Sequence, residues 1–221
     1  MDALVEQFFN LDVMAQAWPT VWRGLLMTLL LCLAVIPLGL IGGLAVALAH
    51  TSPYPWLRWL TVVFVDFFRA IPPLVLLIFV KEGLPFAGIR LSPFTAVCVS
   101  FLLNNSAYYG EIYRAGIESL SKGQMEAARS TGLTRLQAMV YIILPQAIRN
   151  VLPDLLSNTI EVVKLTSLAS VVAFHELLYS ADMARSVTYN ASPIVMAAAI
   201  YLLMLWPVVR LLSRLEHRLA G

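Results

Sequence analysis

Charge is what this chain has little of. Only 13% of its 221 residues are Asp, Glu, Lys or Arg, about half the share of an ordinary soluble domain. The net charge is +2 and the basic residues are scattered between apolar runs, so a nucleic-acid partner has little support. Cysteine is sparse too. Cys32 and Cys98 both fall inside apolar stretches, where a free thiol packs as a small hydrophobe, and no further pair offers metal-ligand spacing. No His-rich site can be assembled from His50, His175 and His217, and neither HExxH nor GxSxG occurs, which removes the commonest zinc and serine hydrolases. A Gly-x-x-x-x-Gly-Lys-Ser/Thr loop is also missing, so the chain has no phosphate cradle with which to bind ATP itself. The opening MDALVEQFFNLDVMAQAW is acidic and amphipathic; without a basic flank before a short apolar core it does not read as a cleaved signal peptide.

What is present is apolar sequence. Hydrophobic residues make up 60% of the chain and the mean hydropathy is +0.80, values that belong to an integral membrane protein. A hydrocarbon core of ~30 Å needs about 20 apolar residues in a helix, and five windows fit: 20–49, 59–80, 92–114, 152–175 and 192–211. In the first, Pro37, Gly42 and Gly43 suggest a bend or a close helix contact. The second is interrupted by Asp66, Arg69, Pro72 and Pro73. Loop charges set the orientation. Arg58, Arg114, Lys122, Arg129, Arg135, Arg149, Arg210, Arg214 and Arg218 fall on one side, against Arg23, Lys81, Arg90 and Arg185 on the other. The richer side is cytoplasmic by this rule, which puts the carboxyl terminus inside and the amino terminus outside.

Between the third and fourth windows lies a polar island, Lys122 to Asn150, reading KGQMEAARSTGLTRLQAMVYIILPQAIRN. Ser121 and Gln124 have the spacing of a capping box, which starts a helix by satisfying unpaired amide donors. Gly132 is suited to stop it. Thr134 and Gln137 repeat the capping spacing, so a second helix is expected toward Pro145 with Leu136, Met139, Val140 and Ile143 on one face. A short helix presenting Glu126, Ala127, Ala128 and Arg129 is a plausible peg for a groove in a soluble protein. An ordinary amphipathic helix resting on the inner leaflet is the plainer alternative.

The order Glu126-Ala127-Ala128, Gly132, Ile142, Leu144-Pro145 resembles the EAA loop of ABC importer permeases. FFRAIPPLVLL from Phe67, AYYGEIYRAGIESLSKGQMEAA from Ala107, LPQAIRNVLPDLLSN from Leu144 and LTSLASVV from Leu165 look like the polar amino-acid branch, the histidine- and glutamine-type permeases. The resemblance implies an all-α polytopic membrane protein of five transmembrane helices with a cytoplasmic coupling helix, in the MetI-like permease fold. Residues 1–221 would form one permease domain, with an external amphipathic segment at 1–19 and the coupling loop at 120–150. It further implies a bacterial inner-membrane location, a second permease subunit, two ATPase subunits that hold ATP and magnesium, and an external solute-binding protein. No cofactor is expected on this chain. Glu126, Ala127, Ala128, Arg129, Gly132, Leu144 and Pro145 would carry the coupling.

In the fourth window Asp154, Asn158, Glu161 and Lys164 recur at intervals of four, three and three, along one helical face. A charge at the bilayer centre costs about 2.5–3.5 kcal/mol on insertion scales, so that stripe should face a partner or an aqueous cavity. Glu161 and Lys164 can meet the charged ends of a zwitterionic solute, or neutralise one another across one helical turn. Thr166 and Ser167 follow as hydroxyl donors. Many relatives carry Asp directly after this Lys, whereas Leu165 stands here; the missing carboxylate turns the expectation toward neutral or acidic amino acids. Arg69 before the Pro pair reads as a gate or solute contact at a broken helix, or simply as a partner for Asp66. Asn104 and Glu111 share a face of the third window and can line the same path, interhelical hydrogen bonding being the plainer reading of the asparagines. His175 and Glu176 read as interfacial. A proton-coupled secondary transporter is the rival function, though no paired internal repeat is visible.

Overall fold

The computed structural model describes residues 2–220, with side chains described from 3 to 214. The side chains of His217 and Arg218 lie outside the described ones. Every regular element among the described residues is helical. A short α1 (Asp2–Phe8) leads into α2 (Leu11–His50), a single helix of 40 residues, about 60 Å long at ~1.5 Å per residue. Asn10 marks the break between them, its side-chain oxygen accepting from the amides of Asp12 and Val13, each at 3.1 Å. The long helix therefore starts well before residue 20, since the second half of the expected amphipathic leader forms its first turns. Helix α2 runs through Pro37 to the Thr51–Ser52 turn.

The second window is not one rod. Helix α3 (Pro55–Ala70) and the segment Pro73–Ala87, which opens with α4 (Pro73–Ile78), form a pair bent by 100°. A residue before proline is driven to extended backbone, and Ile71 and Pro72 adopt ψ of 127° and 132° in turn. A π-helical turn (Phe79–Gly83) and a 3-10 turn (Leu84–Ala87) lead on to α5 (Pro93–Glu118), begun by Ser92, whose hydroxyl accepts from the Thr95 amide at 3.1 Å. Then come α6 (Lys122–Ser130), α7 (Arg135–Ala138), a π-helical turn (Met139–Ile143) and α8 (Leu144–Asn150). Helix α9 (Leu152–Leu165) tightens into a 3-10 segment (Thr166–Val172), and α10 (Leu177–Thr188) and α11 (Ser192–Ala220) complete the chain.

Among the described residues three helical stretches are long and apolar enough to cross a membrane, Ala3–His50, Leu152–Val172 and Ser192–Arg214, and the bent α3–α4 pair makes a fourth if it counts as one span. Helix α5 has the length, at 26 residues, but carries the polar run from Asn104 to Glu111.

The chain divides into two compact units. One takes the segments up to Ile36, Pro72–Phe101 and from Ile160 onward. Its core joins Ala17 and Val21 of α2 to Leu177, Ala181 and Ala184 of α10 and Ala197 of α11. Glu176, expected at an interface, is fully buried there. Its carboxylate accepts from the amides of Leu178 and Tyr179 at 2.8 and 2.7 Å and from the Tyr201 hydroxyl at 3.0 Å. The carboxyl group is accommodated in the core because it caps α10 and accepts three hydrogen bonds there.

The other unit holds Pro37–Ile71 and Leu102–Thr159. In it α2 and α5 approach so closely that a Cβ on Gly43 would collide with Tyr109 and stand 2.8 Å from the Gly110 amide nitrogen. The paired glycines thus serve contact between helices, one of the two readings of their sequence.

Candidate coupling loop and solute path

Helix α6 ends as the island predicts. Gly132 takes φ +90°, a left-handed conformation that costs glycine little. The second capping box forms in full: the Thr134 hydroxyl accepts from the Gln137 amide at 3.2 Å and the Gln137 side chain accepts from the Thr134 amide at 2.9 Å. The first does not form. Ser121 is the N-cap of α6 but makes no side-chain bond, and the Gln124 amide bonds instead to the Ser121 carbonyl at 3.0 Å.

The second helix does not stop at Pro145. Proline lacks the amide and crowds the preceding turn, and the chain answers by widening into the π-helical turn Met139–Ile143, after which α8 continues to Asn150. The extra residue in that turn rotates the inward face. Met139, Ile143 and Leu144 are buried against Leu44, Leu48, Ile117, Leu120 and Met125, whereas Leu136 and Val140, expected on the same face, are exposed.

This packing sorts the coupling candidates. Glu126, Ala127, Arg129, Gly132 and Pro145 are exposed. Ala128, expected on the surface, is buried, as is Leu144. Helix α6 is therefore held by its Ala128 side and shows Glu126, Ala127 and Arg129 outward.

The polar residues of the spans separate into two groups. In the unit containing α3 and α5, Glu111 receives Arg114 through two bonds of 2.9 Å, and Arg69 approaches the same carboxylate at 3.5 Å. Arg114 also holds Glu118 at 2.6 Å. The Arg69 guanidinium lies over the Tyr108 ring, 5.4 Å from its centroid. Its ionic partner is thus Glu111 and not the expected Asp66, because the bend after Ala70 delivers the end of α3 to α5. Asn104 is buried and donates to the Phe68 carbonyl at 3.0 Å. Asn158 has a buried side-chain nitrogen without a hydrogen-bond partner among the described residues.

In the other unit Lys164 and Glu161 are 2.5 Å apart across one turn of α9, and both side chains are at least half exposed. Thr166 is buried and donates to the Val163 carbonyl at 2.6 Å, and Ser167 donates to the Lys164 carbonyl at 2.8 Å. Both hydroxyls satisfy the backbone where α9 tightens. A cavity of about 450 Å³ bordered by Lys164, Ser167, Tyr201, Leu205 and Trp206 opens beside them.

The profile of the binding-protein-dependent transport system inner membrane component matches residues 36–221. The chain belongs to this family. It is the permease subunit of an ABC importer, which removes the secondary-transporter alternative. Among curated relatives, the probable glutamine ABC transporter permease protein GlnM of Bacillus subtilis (strain 168) is 38% identical over 211 residues, 95% of this chain and 98% of the relative. A solved amino acid ABC transporter crystallised with histidines is 38% identical, covers 93% of this chain and 96% of that one, and superposes with a TM-score of 0.83. An inward-facing methionine ABC transporter, at 19% identity and a TM-score of 0.74 over 90% of this chain and 95% of that one, shares the fold.

The permease's sequence hid several partners. Tyr108 beneath Arg69 lies in the same polar run as Glu111, yet nothing in its spacing identifies it as the stacking face. Arg114 counts in the sequence only as a loop charge, although Glu111 and Glu118 flank it at helical spacing. Glu176 directly precedes α10, where an acidic side chain suits the positive end of the helix dipole.

Proposed function

We propose that this permease imports amino acids or closely related small solutes, pairing with a second permease to enclose the path. Two cytoplasmic ATPases holding ATP and magnesium would grip the coupling loops, and an external binding protein would deliver the solute. Five crossings, with α5 and the bent α3–α4 pair each counted as one, and the loop-charge bias would put the amino terminus outside and the carboxyl terminus inside a bacterial inner membrane. In this reading the whole chain is one permease domain.

The observation that carries the proposal is the coupling loop, a helix exposing Glu126, Ala127 and Arg129, a left-handed Gly132 and a fully capped second helix. Such a peg transmits force only if it is rigid. Buried Ala128 and Leu144 anchor it, while Gly132 and Pro145 shape the turn and the rotation behind it. Closure of the ATPases would pull α6, and the continuous run through α7 and α8 would pass that movement to α9, which carries Asn158, Glu161 and Lys164.

Along the path Glu161 and Lys164 offer opposite charges to the ammonium and carboxylate of an amino acid. Exchanging an internal ion pair for a solute's two ends conserves charge and leaves neither group unpaired. Thr166 and Ser167 fix the backbone beneath that pair. Arg69 and Glu111 form a second charged element in the same reading, a latch at the broken helix.

The test is uptake by the reconstituted importer. The permease expressed with its neighbouring genes is expected to co-purify an ATPase; its absence would sink the proposal. Gly132→Leu should leave insertion and ATP hydrolysis in place and abolish uptake. With Leu165 after Lys164, neutral and acidic amino acids are expected to outcompete arginine and lysine, and the reverse order would overturn that preference.

A further inference from the structure

We infer that the permease binds the phosphate-bearing headgroup of an anionic membrane lipid in a cavity at the foot of its coupling loop. The cavity is about 460 Å³ and its polar rim is formed by His50, Thr51, Arg58, Lys122 and Arg135. Arg58 comes from the first turn of α3, Lys122 is the first residue of α6 and Arg135 the first of α7. All three are exposed and none makes a salt bridge among the described residues. Glu118, the one carboxylate on the rim, is already held by Arg114 at 2.6 Å. Three unpaired cations on one cavity repel one another. A phosphate relieves that repulsion and takes charge-assisted bonds from each.

Arg135 is already aimed. One of its amino groups donates to the Thr51 carbonyl at 2.9 Å, which fixes the guanidinium across the turn between α2 and α3 and leaves its remaining donors for a ligand.

Free phosphate would satisfy the same cations, but the surroundings select a lipid. Tyr54, Trp56 and Trp59, on the turn and first turns of α3, are 61%, 65% and 68% exposed. Exposed aromatic rings of this kind sit at the level of lipid headgroups. Arg58 lies between the two tryptophans in sequence, so the cationic rim and an acyl-chain surface adjoin. The placement of this rim on the cytoplasmic leaflet rests on the orientation proposed above. A bound headgroup would tie the starts of α6 and α7 to the α2–α3 turn and stiffen the peg that an ATPase grips.

The assembled transporter, extracted from vesicles of phosphatidylcholine with phosphatidylglycerol, is to be weighed by native mass spectrometry. Wild type should retain phosphatidylglycerol over phosphatidylcholine. Arg58→Gln, Lys122→Gln and Arg135→Gln should each lower that retention about fivefold, equivalent to ~1 kcal/mol per basic residue near a charged surface. Arg149→Gln removes the same charge elsewhere on the island and should retain the lipid as wild type does. Equal retention by the triple variant, or an equal loss in Arg149→Gln, overturns the inference. Inorganic phosphate raising the melting temperature of the lipid-stripped complex as phosphatidylglycerol does, in a manner lost with Lys122→Gln, reassigns the cavity to a free anion and overturns the lipid. Because the substituted side chains are exposed, a monodisperse complex is expected throughout. Uptake by wild type in the same vesicles, scored separately, reports on the importer reading and not on the cavity.

Discussion

Glycine appears in the α2–α5 seam and in the α6–α7 loop for opposite reasons. At Gly43 the backbone is ordinary helix and the space is gone, because a Cβ would meet Tyr109 and the Gly110 amide nitrogen. At Gly132 nothing lies within 4 Å, and the demand is a φ of +90°. The seam therefore forbids volume, and the loop forbids a backbone preference. One region is a packed joint that should move as a piece, the other a hinge-shaped peg whose surface is open for a partner.

The largest effect should come from breaking the seam. Gly43→Leu forces apart two helices in backbone contact and should cost more than about 3 kcal/mol, the upper end of overpacking losses, while Gly43→Ala costs less. Thermal unfolding in detergent checks both, and near-wild-type stability for Gly43→Leu would show that the helices can slide. On α5, Glu111→Gln removes the shared partner of Arg69 and Arg114. Charge-assisted bonds to a part-buried carboxylate suggest a loss of about 2 kcal/mol, whereas Lys164→Gln, in a half-exposed pair within one helix, should cost under about 1 kcal/mol. Equal losses would mean that the α9 pair is as structural as the α5 network. At Gly132 the penalty is conformational, about 1–2 kcal/mol for a left-handed L-residue, and the same for Ala as for Leu. A graded loss at residue 132 like that at 43 would erase the distinction between the two glycines.

What was legible in the sequence follows the same division. The loop's breakpoints are local chemistry: Gly132 and the Thr134–Gln137 box require only near neighbours, and both stand where the spacing places them. The π-helical turn at Met139–Ile143 was not legible, because it reconciles Pro145 with the burial of Met139, Ile143 and Leu144 against α2 and α5. The inward face of α7 and α8 was misassigned at Leu136 and Val140 for that reason. The break after α3 was legible from Pro72 and Pro73, but its 100° bend was not, since a hydropathy window carries no direction. Arg69 was offered its sequence neighbour Asp66; its partner Glu111 lies on another helix, a matter of tertiary approach. Of the residues expected to carry coupling, which ones face outward was not legible, and Ala128 and Leu144 turn inward through contacts that no local rule contains.

The smallest predicted effect is a difference between two N-caps that look alike in sequence. Thr134→Ala removes the hydroxyl that accepts the Gln137 amide, and should destabilise the start of α7 by about 1 kcal/mol. Ser121→Ala removes a hydroxyl that bonds nothing in α6, where the Gln124 amide is satisfied by the Ser121 carbonyl, so its cost should stay within about 0.5 kcal/mol. Amide hydrogen exchange resolves the two sites, since each change speeds exchange chiefly in its own first turn. Equal acceleration in both variants would mean that the Ser121 box closes part of the time, and that α6 carries a capping reserve an ATPase could engage. A flat response at Ser121 with a clear one at Thr134 leaves α6 held by Ala128 and its neighbours alone, so the peg's rigidity would come from packing on its inner side.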